Sequence, residues 1–294
     1  DNTMAIVDPA AMKVVGSVAV GEGPHEVATS ADGRFAYVAN YGTQQVVGST
    51  LSVIDIAARK ETKRVDLKPL VRPHGIVEAN GKIYFTAEAN RAVARYDPAA
   101  DRVDWVMGTG QDVSHMVVVS PDRRTAYTTN IASDSVTAIP LVPTPGQPPR
   151  ITHIPVGKQP EGLDLSPDGR ELWAGHNGDQ SLSIIDTATA KVKETVKVGG
   201  VPIRVKFTPD GRRVLITNPE DGELIVFDAA TRREIKRVAV GEVPVGVLVT
   251  PDGRRAFVAT MQSGKVVAVN LDDLTVAGSV ETGKGPDGLG WAGK

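Results

Sequence analysis

Not one cysteine occurs in the 294-residue chain. Disulfides and thiolate metal sites are therefore excluded, and any metal must be held by nitrogen and oxygen ligands. A cysteine-free chain fits an oxidising or a reducing compartment equally well. No apolar run approaches the roughly 18 residues of a membrane span, so no spanning helix is expected. A strong excess of one charge is missing too: 33 basic and 35 acidic residues leave a formal net charge of -2. That balance argues against a general polyanion binder and leaves room only for a local basic face. Sustained helical periodicity is absent, as are phosphate loops, G-x-S-x-G nucleophiles, HExxH zinc sites and EF-hands. The chain starts at Asp1 rather than Met, from which a processed upstream segment is expected, a secretory signal being one choice.

What the chain does contain is a repeat. Pro160, Pro202, Pro244 and Pro286 stand 42 residues apart and open the phrases PEGLDLSPDGRELWAGHN, PIRVKFTPDGRRVLITN, PVGVLVTPDGRRAFVAT and PDGLGW. Looser copies begin at Pro24 (PHEVATSADGRFAYVAN), Pro73 (PHGIVEANGKIYFTAE) and Ser114 (SHMVVVSPDRRTAYTTN). Each copy carries four short runs rich in Val, Ile, Leu and aromatics, separated by turn residues, which is a strand pattern. Asp-Gly pairs at Asp32, Asp168, Asp210 and Asp252 lie between the first two runs, where they predict a tight hairpin turn at positive φ. D-x-A-T turns near Asp186 and Asp228 separate the third and fourth runs.

A four-stranded antiparallel unit of this length, repeated radially, is a propeller blade. The spacing predicts an all-β, seven-bladed β-propeller as a single domain over 1–294. Its blades fall at about 24–72, 73–113, 114–159, 160–201, 202–243 and 244–285, with a closing blade from 286–294 plus 1–23. In that last blade Gly288–Trp291 supplies the inner strand, and Met4–Val7 and Lys13–Val20 supply the outer ones. Pairing of the N- and C-terminal strands then closes the ring. A second strand has no counterpart in the chain, and is expected either just upstream of Asp1 or not at all, leaving a three-stranded seam.

The phrases AYVAN, AYTTN, VLITN and SIIDTAT, with VG-x-x-P between copies, resemble the YVTN-repeat β-propellers over nearly the whole chain. The copy PHGI…YFTAEANRAVARYDP also resembles a blade of streptogramin-inactivating lyases. The YVTN resemblance implies a seven-bladed propeller that is periplasmic or secreted. Its kin include surface-layer proteins, periplasmic proteins and relatives of lactonases, so the resemblance fixes fold more tightly than function.

Propellers present ligands at the channel mouth, so the residue following each anchor is the one to read around the ring. In order it is His25, His74, His115, Glu161, Ile203, Val245 and Asp287. Three of the five histidines take equivalent places, next to two carboxylates. That set is suited to a divalent transition metal: Zn first, with Mn, Fe or Cu as further choices. The competing reading is a polar rim that hydrates the channel. Arg204 can hold a substrate carboxylate or pair with a carboxylate on an adjacent blade. Glu88 and His176, near the ends of second strands, are possible general bases or exposed loop residues. Asn40, Asn130 and Asn218 recur where second strands end and are read as turn caps.

Two functions follow. In one, the metal polarises a carbonyl or activates water in a lyase or lactone hydrolase acting on a small molecule in the central pocket, or is simply bound and released. In the other, the propeller is a metal-free scaffold for a protein, a cell-envelope component or DNA. The Asp-Gly-Arg turns place Arg34, Arg170, Arg212, Arg213, Arg254 and Arg255 on the far face, but no aromatic platform goes with them, so nucleic acid is disfavoured. The extra length of blade 1, in Tyr41–Thr50 and Pro69–Pro73, is expected at the mouth, and the Pro-rich Pro140–Pro149 on the far face as an extended spacer. A monomer is expected.

Overall fold

Short runs of β-branched and aliphatic residues between strong turn residues form one sheet per repeat in the computed structural model, which describes residues 1–142 and 145–293. Six sheets have four antiparallel strands each, paired in chain order. Blade 4 is representative, with strands Pro160–Leu165, Glu171–His176, Ser181–Asp186 and Lys191–Lys197. The second and third strands form the core between blades: Leu172, Trp173, Ala174, Leu182, Ile184 and Ile185 are fully buried. Each large apolar side chain buried this way is worth roughly 1.5–3 kcal/mol. The fourth strand of blade 4 sets lysine and glutamate beside valine and faces solvent, as expected of a rim with one wet side. The segment 140–149 does join the third and fourth strands of blade 3; its residues 143 and 144 lie outside those described, as does 294 in the expected closing blade.

The Asp-Gly turns differ from the two-residue hairpin expected. Only the glycine takes positive φ, near 70° at Gly33, Gly169, Gly211 and Gly253. The aspartate instead accepts hydrogen bonds from a hydroxyl two residues before it and from the amide two residues after it. At Asp32 these come from Ser30 Oγ (2.6 Å) and Arg34 N (3.0 Å). That side-chain bonding holds the aspartate at negative φ and lengthens the loop. In blade 3 the left-handed place is taken by Arg123, at φ 61°. Asn130, expected as a turn cap like Asn40 and Asn218, ties strands together instead: its Nδ2 donates to Ser135 and Thr137 on the third strand, its Oδ1 accepts from Ser114 on the first, and it makes no cap bond to the turn that follows.

The terminal region departs from the other six. Thr3–Asp8 and Lys13–Ala19 pair only with each other. They take the places of third and fourth strands, with Asp8 accepting from the amides of Ala10 and Ala11 in the same kind of turn. Lys13–Ala19 lies beside the outer strands of blades 6 and 1. Gly288–Trp291, expected as an inner strand, forms no ladder. It is tied instead to blade 1: Gly288 N donates to His25 O (3.0 Å) and Thr29 Oγ1 to Trp291 O (2.7 Å).

One local irregularity positions the site. In blades 1, 2, 3, 4 and 6 the first strand slips register by one residue just after its anchor, as between Pro24 and Val27 or Pro160 and Leu163. Such a bulge bends the strand and re-aims the side chains at it. In these five blades the residues it re-aims are His25, His74, His115, Glu161 and Val245, which follow the anchors.

Candidate functional site at the channel mouth

All seven residues read after the anchors line one cavity of about 360 Å³. Its walls divide by chemistry. His25, Tyr41, His74, Glu88, His115, Glu161 and Asp287 make a polar arc, while Val113, Ile131, Ile203, Val243, Val245 and Met261 line an apolar wall. The polar and apolar halves thus follow the order in which the repeat delivers them.

The three imidazoles are stacked side by side. Ring centroids are 4.2 Å apart for His25 and His74 and 3.8 Å for His74 and His115. Tyr41 packs edge-on against both His25 and His74 at 5.4 Å. His74, in the middle, is 2% exposed; burial first, then its neighbours His115, His25 and Arg204, hold it well below the usual imidazole range, so it stays neutral. His115 is also buried, but the pull of Glu161 and Glu88 outweighs burial and raises it. Its Nδ1 lies 2.9 Å from Glu88 Oε2, and its Nε2 lies 3.7 Å from Glu161 Oε1, a charge contact too long for a hydrogen bond. Burial favours the neutral form of Glu88, yet hydrogen bonding to His115 and Tyr41 wins and lowers it. The Tyr41 hydroxyl donates to Glu88 at 2.6 Å, and burial together with that bond pushes the phenol up. At the other end, His25 Nδ1 is 2.6 Å from Asp287 Oδ2 but out of line for a hydrogen bond.

Arg204 crosses the channel. Its Nη2 and Nε reach Glu26 Oε1 at 2.5 and 3.2 Å, its Nη1 reaches Glu161 Oε1 at 3.2 Å, and its Nη2 stands 3.9 Å from Asp287. Burial opposes its charge, but Glu26, Asp287 and Glu161 together hold it firmly protonated. All three are this chain's own carboxylates, so no donor pair of Arg204 is left for a substrate carboxylate. Asp287 and Glu161 are in turn held low: burial resists, and the His25 contact with the Arg204 charge in one case, and His115 with Arg204 in the other, prevail. Counted formally, Glu26, Glu88, Glu161 and Asp287 face one guanidinium.

Of the expected metal ligands, His25 and Asp287 form a compact group with Glu26, their ligand atoms within 4.8 Å of one another. His74, His115 and Glu161, expected as ligands too, line the same wall but fall outside that group. His25 Nδ1, His74 Nδ1 and His115 Nε2 are all buried without a hydrogen-bond partner. His25 Nδ1 and His115 Nε2 still have carboxylate oxygens of Asp287 and Glu161 nearby, so only His74 Nδ1 is without any polar contact, and an ion or water satisfies such an atom. Glu88 does reach the cavity. His176 does not, which corrects the expectation of a base there. It is fully buried in blade 4 with Nδ1 3.1 Å from Ser181 Oγ, in the place that Asn130 and Asn218 hold elsewhere.

Sequence reading missed Glu26 and Tyr41. A signal for Glu26 existed. Two residues after the anchor, Gly75, Gly162, Gly246 and Gly288 let the next blade's first strand pack close; a Cβ on Gly246 would lie 2.0 Å from Asp287 O. Glu26 and Arg204 stand in that same register with long charged side chains, and they are the pair that meets across the channel.

Comparison with known proteins agrees with this architecture. Residues 142–290 match the family model of YNCE-like β-propellers, and residues 20–207 match that of the lactonase seven-bladed β-propellers. No curated protein sequence matches the chain. Among solved structures, hydrazine synthase of Kuenenia stuttgartiensis is similar at TM-score 0.79 and 19% identity, covering 92% of this chain and 90% of that one. A functionally unknown protein of Desulfotomaculum acetoxidans gives 0.79 and 12%, over 98% and 94%. The Cps50 (Swd1) β-propeller domain of Myceliophteria thermophila gives 0.75 and 13%, over 95% and 93%. At these identities the likeness is one of fold. No helix among the described residues is long and apolar enough to cross a membrane. With two family models each spanning half of its length or more, the chain belongs to the lactonase-like, YVTN-type β-propeller family.

Proposed function

We propose that the channel mouth binds a divalent transition metal, Zn being the best match, and uses it on a small organic molecule as a lyase or lactone hydrolase. The observation that carries this reading is the compact group of His25, Glu26 and Asp287, with ligand atoms within 4.8 Å of one another, beside the buried, unpartnered Nδ1 of His74. Imidazole nitrogen and carboxylate oxygen suit such an ion. His25, Glu26 and Asp287 would hold it, with His74 kept neutral and therefore able to donate a lone pair. When bound, the ion would polarise a carbonyl or lower the pKa of water. Glu88, paired with His115 and Tyr41, is placed to accept a proton at Oε2 and to return it. The apolar wall of Ile203, Val245 and Met261 favours an organic ligand over simple ion storage, since a bare ion gains nothing from it.

The seven-bladed count and the closed ring belong to the same reading, supported by the Gly288–His25 backbone bond and by Lys13–Ala19 lying between blades 6 and 1. So does a periplasmic or secreted location, for which the family resemblance is the support.

Zinc titration of chelator-treated protein tests the reading. One equivalent should bind and raise the melting temperature, by an amount equal to about 2.7 kcal/mol at a hundredfold excess over Kd. His74→Ala and Asp287→Asn should each abolish the rise. Unchanged melting with chelator and with Zn, Mn, Fe or Cu would discard the metal and favour a metal-free scaffold.

A further inference from the structure

The two carboxylates best placed to grip an ion are already engaged by a cation of the chain itself. Arg204 Nη2 lies 2.5 Å from Glu26 Oε1 and 3.9 Å from Asp287 Oδ1, and its Nε lies 3.2 Å from Glu26 Oε1. Glu26 and Asp287 are also the two carboxylates of the compact group with His25. A divalent ion gripped by that group would stand against the guanidinium, and like charges in contact inside a buried site repel strongly. The ion and Arg204 are therefore alternatives for one pair of carboxylates. The repeat does not demand a cation here, since Gly75, Gly162 and Gly246 hold the same register in blades 2, 4 and 6.

We propose that Arg204 is a built-in counter-ion that regulates the metal site. It holds Glu26 and Asp287 while no ion is bound, and gives them up to Glu161 when an ion takes its place. This role rests on the divalent ion proposed for the mouth. The side chain has a second seat ready, because its Nη1 already donates to Glu161 Oε1 and to Ile203 O, both at 3.2 Å. Glu161 is steadied there by Asn177 Nδ2, which donates to its other oxygen. The backbone is fixed separately. The Arg204 amide donates to Thr217 Oγ1 at 3.1 Å, and its strand is laddered to Arg213–Asn218. The guanidinium can thus exchange Glu26 for Glu161 without moving the strand. Without metal it keeps the buried carboxylates neutralised, and it lowers affinity for the ion by the worth of the bonds it must release.

Calorimetric zinc titration of wild-type protein, Arg204→Met and Arg204→Gln tests this role. Removing the guanidinium should tighten zinc binding by about tenfold or more, the worth of one hydrogen bond to a charged group, even though it destabilises the metal-free protein. A residue that only supported the fold would leave zinc affinity unchanged or weaken it when lost. The glutamine variant, neutral but still able to hydrogen-bond, serves if the methionine variant does not fold. In wild-type protein the Arg204 Nε–H, bonded to Glu26, should shift in NMR spectra and exchange faster with water once one equivalent of zinc is bound. If wild-type protein binds zinc and neither variant binds it more tightly, or if the Nε–H signal stays unmoved with zinc bound, the counter-ion role is overturned while the metal site stands. Variants that bind zinc where wild-type protein does not would uphold the role and discard the metal function. If none of the three binds zinc, both fall together.

Discussion

Replacing Arg204 by methionine tests whether the channel is held by its cross-channel ion pair. The guanidinium is 9% exposed in its side chain and touches Glu26, Glu161 and Asp287 within 3.9 Å. At an effective dielectric near 20, an ion pair at about 3 Å is worth roughly 5 kcal/mol, and the cost of desolvating the two ions is of similar size. The pair is therefore close to balanced as a whole. Breaking it from one side is different, because Glu26 would then stay buried with no cation, and Glu161 and Asp287 would lose theirs. Such one-sided losses cost about 3–5 kcal/mol, which for a chain of this size means a melting temperature lower by on the order of 10 °C. Glu26→Gln alone should also destabilise, and the double variant should be better than the sum of the singles by at least about 2 kcal/mol. Urea unfolding followed by circular dichroism, in chelator so that no bound ion intervenes, gives all four corners of the cycle. An Arg204→Met loss below about 1 kcal/mol, or a strictly additive double variant, would refute the reasoning.

His176 gives a pH dependence whose direction is fixed. Burial, resisted only weakly by Asp179, lowers it from 6.5 to about 4. The unfolded chain thus takes up its proton near pH 6.5 while the folded chain refuses it. Stability is full above that value and falls between pH 6.5 and about 4, by about 3 kcal/mol. His176→Asn, the residue the repeat uses elsewhere, should flatten this part of a urea-midpoint profile; an unchanged slope would assign the acid sensitivity to other groups. Arg123→Gly should stabilise by about 0.5–1 kcal/mol in the same assay, since glycine takes the left-handed conformation without the Cβ penalty. A loss there would mean that the Arg123–Asn80 hydrogen bond (2.8 Å) outweighs backbone relief.

The four-stranded antiparallel units were legible because each is set locally. An anchor proline, an aspartate-centred turn and a β-rich run lie within about twenty residues of one another, and each of the six complete blades repeats the set with small changes. The same repetition made the seven mouth residues legible, because equal position in the repeat becomes equal position around an axis. What stayed hidden depends on contacts between blades. Glu26 and Arg204 are 178 residues apart, and only the curvature of the ring makes them neighbours. His176 was misplaced for a related reason: Glu88 is the first residue beyond its second strand and turns into the cavity, whereas His176 is the last residue within its own and turns toward Ser181. A difference of one position at a strand end moves a side chain from the mouth to the inside of a blade.

The division of the mouth into two arcs narrows the chemistry more than any single residue does. Arg204 is occupied by three of this chain's own carboxylates, so an anionic substrate would meet acidic groups with no free cation to offset them. A ligand must then bring positive charge, accept it through an ion held by His25, Glu26 and Asp287, or be neutral. Neutral organic molecules with one polarisable carbonyl meet those terms, because the carbonyl can face the histidines while the remainder lies on Ile203, Val245 and Met261. Lactones are of that kind, and opening one creates a carboxylate. Under the proposed function the carboxylates of the site would repel that product while a bound ion would hold it, so its release would depend on the balance of the two.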